Sequence, residues 1–535
     1  MVWDDGFMQG ESRPDRELLD AEMLAGHLVP AGSVFAFLAE HRRELFPDSF
    51  TADLFSSRTG RPSLPADLVG GVLVLQSLYD LSDGQAADAL RFDLRWKVAC
   101  GRALDQVSFD PSTLVYWRRR IARSERPDRV FDAVAEVIAA TGILRGRRKR
   151  CVDSTVLDDA VATQDTVTQL VAAIRKVARV VPGAAEVIGR VCRLGYSKPG
   201  KPVIDWDDPE AKRSLVSDLV NDALAVLAEL AGPGAPERDE AAAGALGLLA
   251  LVAGQDVEPA EDSDGTDGRW RIARKVARDR VISTVDVQAR HARKSKSVRR
   301  DGFRAHLAAE PETGLVTDAE MTMAAGPGST DAENGAAMAA RDRFREGDDA
   351  EPGGPEVYGD SAYGSGQARA AYRDAGCDTI IKPGPLRPAV PGGFTIDDFT
   401  ISEAAGTVTC PAGVTRHMTP KRTVTFGAAC AGCPLRDRCT TAAGGRSMTI
   451  HPREDLLRAA RAQARTPEFR AKYPTRAAIE RVISWTSTQN GRRIRLRYIG
   501  AAKNSAWLRN RTAAINLRTL LRHGLTRTGG TWALA

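Results

Sequence analysis

Two short apolar runs constrain this chain more than any other feature. They are Lys149-Arg-Cys-Val-Asp153-Ser-Thr-Val-Leu157 and Pro355-Glu-Val-Tyr358-Gly-Asp360. Each leads into an isolated aspartate, and the two acids lie 360 − 153 = 207 residues apart. Runs this short predict strands that cannot bury themselves alone, so both must join a sheet assembled from distant segments. A hairpin is predicted between them: Phe303-Arg-Ala-His-Leu-Ala308, a turn at Glu312-Thr-Gly314, then Leu315 to Thr322. A helix (Asp331 to Arg345), the strand ending at Asp360, a helix (Gly366 to Ala375) and a strand (Thr379 to Lys382) follow. Strands first and βα alternation after predict an α/β fold, a mixed sheet with helices on both faces.

At 535 residues the chain exceeds one ordinary core, so several domains are expected. The part up to about Arg126 reads as helical. Leu68, Val72, Leu75 and Tyr79 recur at helical spacing, and Ser82 is placed to cap a helix over Gln85 to Leu90. A third helix after Pro111-Ser-Thr113 carries Tyr116, Trp117, Arg118, Arg119 and Arg120. Short helices with a cationic last member resemble helix-turn-helix DNA-binding domains; a structural cap on the next domain is the alternative. A helical insertion over about 159–273 interrupts the sheet, with breaks at Lys198-Pro-Gly-Lys-Pro202 and Gly232-Pro-Gly-Ala-Pro236. Its stripe of Leu215, Leu219, Val226 and Leu230 predicts internal packing, with dimerisation as the alternative. A second insertion, over about 384–451, holds half of the cysteines.

Net charge is modest, 75 − 69 = +6, but uneven. Arg118 to Arg120, Arg145 to Arg150, Arg290 to Arg304 and Arg492 to Arg497 are cationic tracts, which suit polyanion binding or form solvated helix faces. Hydrophobic content of 43% and charged content of 27% describe a soluble globular protein. The start, Met1-Val-Trp-Asp4-Asp5, lacks the basic and apolar regions of a signal peptide, and Ala241 to Gly254 is too short to span a membrane. A cytoplasmic protein with reduced thiols and no membrane partner is expected.

The array Tyr473-Pro-Thr-Arg476-Ala-Ala-Ile-Glu480 sets a third acid in a basic helix that runs on to Arg492-Arg493-Ile-Arg495-Leu-Arg497. Singly these acids are ordinary: Glu480 reads as a surface ion pair of little value, the aspartates as turn residues. An acid closing an interior strand, however, is costly without a cation. Two strand-end acids and one from a crossing helix can hold a divalent ion pair about 3.5–4 Å apart around a scissile phosphate. Oxygen ligands favour Mg²⁺, with Mn²⁺ as substitute. Cys410, Cys430, Cys433 and Cys439 follow C-x19-C-x2-C-x5-C, which suits a tetrahedral Zn²⁺ site with His417 and His451 as spare ligands. The alternative is four small buried residues. Cys100, Cys151, Cys192 and Cys377 are scattered and expected in cores.

This order of acids and the Tyr-x2-Arg-x3-Glu array resembles the DDE transposases of bacterial insertion sequences. The closer similarity is to the branch with a helical N-terminal domain and a cysteine-rich insertion before the final Glu. Gly60-Arg61-Pro62, Leu81-Ser82, Phe92-Asp-Leu94, Cys100-Gly101, Asp110-Pro-Ser-Thr113-Leu, Cys410-Pro-Ala-Gly413 and Cys430-Ala-Gly-Cys433-Pro-Leu-Arg436-Asp-Arg-Cys439 carry it. The resemblance implies an RNase H-like catalytic core over 145–158 and 274–383. A DNA-binding domain over 1–126, the insertions 159–273 and 384–451, and a catalytic helix with basic tail over 452–535 complete the division. It implies Asp153, Asp360 and Glu480 as metal ligands, and Tyr473 and Arg476 near DNA phosphate on one helix face with Glu480. Arg118, Arg119, Arg120, Arg492 and Arg493 would contact double-stranded DNA, as transposon ends and target, bound by a homodimer. The family's lysine, seven positions after the Glu, falls here on Ser487; Arg492 or Arg493 is the candidate replacement. A nuclease of the same fold without strand transfer, and an inactive DNA-binding regulator, stay open as alternatives.

Overall fold

Six strands form one mixed sheet: β1 (Lys149–Asp158), β2 (Arg290–Arg293), β3 (Arg299–Ala309), β4 (Val316–Met323), β5 (Glu356–Gly359) and β6 (Asp378–Ile381). The computed structural model describes residues 9–10, 18–55, 62–233, 237–275, 277, 279–293, 298–345 and 354–535. Expectations resting on Met1 to Asp5, on Gly60 and Arg61, on Gly234-Ala-Pro236 and on residues 294–297 of a basic tract lie outside the described residues. The strand order is β2–β3–β1–β5–β6, and β4 also pairs with β3. β1 runs antiparallel to β3 from Cys151↔Ala309 to Asp158↔Gly302. Its pairing with β5 is parallel and covers only Lys149↔Glu356 to Cys151↔Tyr358. β5 and β6 are parallel as well. The β3–β4 hairpin turns at Gly314, whose φ of +75° is a conformation glycine adopts without steric cost.

Side-chain alternation along the strands gives the sheet two apolar faces, and helices cover both. On one face Cys151, Leu307, Val316 and Tyr358 pack against Ile479 and Val482 of the helix Ala478–Ser487 and against Trp507 and Leu508 of the helix Ala501–Arg522. On the other, Val152, Ala308, Val357 and Ile381 meet Met338 of the helix Asp331–Ala340 and Tyr372 of the helix Gly366–Asp374. The expected helix from Asp331 to Arg345 thus stops at Ala340. Arg341 leaves it to pair with Asp318 and Glu320 of β4.

The N-terminal helices build a second core. Ala66–Tyr79 is apolar almost all round and correspondingly buried. Ser82 caps the next helix, Asp83–Phe92, in a reciprocal capping box with Gln85, so that helix starts two residues before the expected Gln85. Ser112–Ala122 buries Leu114, Trp117 and Ile121. An unanticipated helix, Arg129–Thr141, joins them, and Ala513, Ala514, Leu517 and Leu520 of the C-terminal helix close the same core. In the helical insertion, Thr166–Val180, Ala184–Val191, Pro209–Ala231 and Glu240–Gln255 surround their own core. Leu215, Leu219, Val226 and Leu230 all point into it, so the stripe packs internally. Among the described residues no helix is long and apolar enough to cross a membrane.

Candidate active site

Asp153 is not at a strand end: β1 continues five residues beyond it to Asp158. The antiparallel partner β3 is long and sustains β1, whereas the parallel partner β5 leaves it after Cys151. Asp153 therefore sits just past the point where one edge of β1 loses its neighbour. It lies two residues from Cys151 and so on the same face, the one covered by the Glu480 helix. Asp360 follows β5 directly, as the sequence predicts. It caps the short 3₁₀ turn Ser361–Tyr363, and its Oδ1 accepts a 2.8 Å hydrogen bond from the Ala362 amide. Glu480 stands in the first turn of Ala478–Ser487, whose Ile479 and Val482 fasten the helix to the sheet.

Arg476 joins two of these acids. Its Nη1 lies 3.5 Å from Asp153 Oδ2 and its Nη2 lies 3.3 Å from Glu480 Oε1. Asp153 is mostly buried, at 18% side-chain exposure, while Glu480 is open at 60%. Burial pushes the Asp153 carboxyl up to about 6. The Ser154 amide and Arg476 oppose the rise, and Glu480 and Asp360 add to it. Glu480 and Asp360 thus both reach Asp153 through space although the three acids come from three segments. Among the described residues, no group of three or more His, Cys, Asp or Glu side chains is gathered closely enough to hold a metal ion.

Tyr473 and Arg476 belong to a 3₁₀ turn, Tyr473–Ala477, that precedes the Glu480 helix and is wound differently from it. Tyr473 stacks on Phe469 with ring centres 5.3 Å apart. Cys151 meets this turn through Sγ, 3.6 Å from the Thr475 carbonyl. The helix does not run on to Arg497 as expected: it stops at the buried Ser487, Thr488–Gln489 and Arg492–Arg493 form a short antiparallel pair, and the Ser487 carbonyl accepts from the Ile494 amide. A lysine there would have to bury its charge, so the position is built for packing.

The sequence reading did not single out the polar cluster beside Asp153. Ser154 Oγ donates to Asp331 Oδ1 at 2.6 Å, and Arg304 Nη1 reaches both Asp331 oxygens at 3.2 Å. His306 lies buried behind them, Nδ1 3.6 Å from Asp331 and Nε2 3.0 Å from Thr322 Oγ1; burial, reinforced by Arg304, pushes its imidazole down to about 3. In sequence Asp331 is only an acid in a helix's first turn, a common placement with no further signal.

The basic tracts are mostly engaged within the protein. Arg118 pairs with Asp83 and lies over the Tyr498 ring; Arg120 lies over Phe55 and bonds Tyr116. Arg147 and Lys149 hold Glu312, and Arg150 holds Asp342. Arg300 pairs with Asp158 and Arg304 with Asp331. Arg493 bonds Thr155 Oγ1 at 3.1 Å, Arg495 the Asp159 carbonyl at 2.7 Å, and Arg497 bonds Asp80. Arg119 and Arg492 are exposed, with no carboxylate partner among the described residues.

Cys410, Cys430, Cys433 and Cys439 all line one cavity of about 250 Å³, and all are free thiols. Cys430 Sγ accepts from the Arg446 amide at 3.5 Å. Gly445, at φ +82°, lets the chain pass there; a Cβ would meet Cys430 Sγ at 3.2 Å. Burial raises the Cys439 thiol; the other three cysteines reinforce the rise and Arg446 opposes it. Of the remaining cysteines, Cys100, Cys151 and Cys377 are buried and Cys192 is half-buried.

A family described as Transposase DDE domain matches residues 409–521, which include the four cysteines of the cavity and Glu480. A family described as Transposase domain (DUF772) matches residues 26–120, the N-terminal helices. No curated protein and no solved structure matches the chain. The two transposase families match in this order, so over these two segments the chain is similar to the DDE transposases of the insertion-sequence type.

Proposed function

We propose that this chain is a transposase that binds insertion-sequence ends, cuts their strands by water attack and joins the freed 3′-hydroxyls to target DNA at Asp153, Asp360 and Glu480. The observation that carries the reading is Asp153, whose carboxyl is raised by burial and further by Asp360 and Glu480. The strand order and register support an RNase H-like core over 145–158 and 274–383. Beside it stand a DNA-binding unit over 1–126, the insertions 159–273 and 384–451, and a catalytic and basic end over 452–535. Asp153, Asp360 and Glu480 would hold divalent cations, Mg²⁺ or in its stead Mn²⁺; mutually repelling carboxylates beside an open edge fit such ions by their chemistry. Bound there, they supply charge stabilisation for in-line displacement at phosphorus. Arg476 balances Asp153 and Glu480 in the free protein and, with Tyr473, is available to a DNA phosphate. Arg118, Arg119, Arg120, Arg492 and Arg493 track the backbone, Arg119 and Arg492 most directly because they are exposed and have no carboxylate partner among the described residues. Two copies act together, one for each end. The four thiols lining one cavity have the donor chemistry of a structural Zn²⁺ site.

Cleavage and strand-transfer assays with a 3′-hydroxyl end substrate test this. Asp153→Ala, Asp360→Ala and Glu480→Ala should each lower cleavage to background while duplex binding persists. Near-normal cleavage by any of them sinks the assignment. Cleavage without joining by the unaltered chain indicates a nuclease, and binding with neither reaction a regulator.

A further inference from the structure

Arg481 and Trp485 stand one turn apart on the helix that carries Glu480, and Arg518 and Arg522 stand one turn apart on the C-terminal helix. All three guanidinium groups converge on one indole. Their central carbons lie 5.2, 5.6 and 5.6 Å from the Trp485 ring centre, for Arg481, Arg518 and Arg522 respectively. Arg481 and Arg522 are exposed; Arg518 and Trp485 are half-buried. Among the described residues none of the three arginines pairs with a carboxylate, unlike Arg118, Arg497 and Arg509 nearby in the fold. Arg518 Nε is buried without a hydrogen-bond partner.

Three like charges around one ring repel each other, and contact with the ring face offsets only part of that repulsion. An anion would supply the rest. Guanidinium groups present planar forks of N–H donors that match phosphate oxygens, and the indole holds them in place. The β3–β4 turn closes one side: a Cβ on Gly314 would meet Arg481 Nη2 at 3.2 Å and the Trp485 ring at 3.5 Å. We infer that Arg481, Arg518 and Arg522, braced on Trp485, form a phosphate-backbone contact for duplex DNA separate from Arg476. This rests on the DNA-processing reading above. Arg481 directly follows Glu480, so a duplex held here lies against the helix that presents the third acid.

The test is duplex binding by the full-length chain, followed by fluorescence anisotropy across a salt series with two duplexes of unrelated sequence. Arg481→Gln/Arg522→Gln alters only exposed side chains, and a triple variant adds Arg518→Gln. The slope of log K against log salt should become shallower by about 2 in the double and about 3 in the triple variant, equally for both duplexes. Arg213→Gln, on the helical insertion, should leave the slope unchanged. A double variant that keeps the unaltered slope, or weakens binding to one duplex only, overturns the inference while the functional reading stands. Absence of salt-dependent duplex binding by the unaltered chain overturns both.

Discussion

Asp153 holds an unfavourable place for a carboxylate. Its carboxyl titrates near 6 in the folded chain against 3.8 for the ordinary group. Folding therefore favours its protonated form: the associated stability is present below about pH 4, is lost as pH rises toward 6, and is absent at neutral pH. Asp153→Asn should then stabilise the metal-free protein near neutral pH by about 1–3 kcal/mol, with little gain near pH 4. Denaturant titrations in chelator at the two pH values check this; equal effects at both would contradict it. On the proposed reading Asp153 would hold a cation, and a site that is less stable without its ion is the usual exchange at catalytic positions. Arg476 moderates the cost in the free protein, since it faces Asp153 and Glu480 together.

The Glu480 helix is held at its far end by one buried side chain. Arg511, on the C-terminal helix, donates to the carbonyls of Trp485, Thr486 and Thr488 and, across to the N-terminal core, to that of Ser77. It is 1% exposed, and burial lowers its guanidinium to about 10. Arg511→Ala would leave several buried carbonyls unmatched and should cost about 3 kcal/mol or more. Urea denaturation reads the loss, and a change below about 1 kcal/mol would show that water replaces the clamp. The cysteine-rich segment is held more weakly. Its core is small, built on Phe399, Val408, Val424, Phe426 and Ile450 between strands of three residues. If the four thiols hold Zn²⁺, elemental analysis of the purified chain should find one ion, and chelation or Cys433→Ser should expose 384–451 to protease. Absence of zinc, with cleavage sites unchanged by chelator, would leave four free thiols, Cys430 and Cys439 buried and Cys410 and Cys433 half-buried, and nothing more.

Across the molecule, positive charge is far less free than the formal count suggests, because most of the four basic tracts close on acids or carbonyls inside the fold. Only part of each is left for a polyanion. Arg119→Glu and Arg492→Glu should weaken binding to all duplexes alike and reduce the salt slope by about 1 each. A loss limited to terminal-repeat sequence would mean base contact instead. The N-terminal helices and the C-terminal helix share one core, and the C-terminal helix also covers the sheet and meets the end of the Glu480 helix through Arg511. The N-terminal helices are therefore joined by continuous packing to the helix that carries Glu480.

Local pattern alone determined much of this protein. The short apolar runs at Asp153 and Asp360, the Phe303–Thr322 hairpin, the helical stripes of the insertion and the cap at Ser82 depend on neighbours a few residues away, so they were legible. The Tyr-x2-Arg-x3-Glu array pointed to Glu480 for the same reason. Only tertiary structure decided that β1 runs on past Asp153, since its length depends on a partner strand some 150 residues later. Only tertiary structure decided that Arg118, Arg493 and Arg497 are engaged while Arg119 and Arg492 have no carboxylate partner among the described residues, because an arginine's partner is chosen by distance in space. The same holds for Asp331 and His306 beside the site, for Ser487 in the core and for three arginines on Trp485. Each is an ordinary residue in its own segment, and its role comes from side chains that approach it only once the sheet has closed.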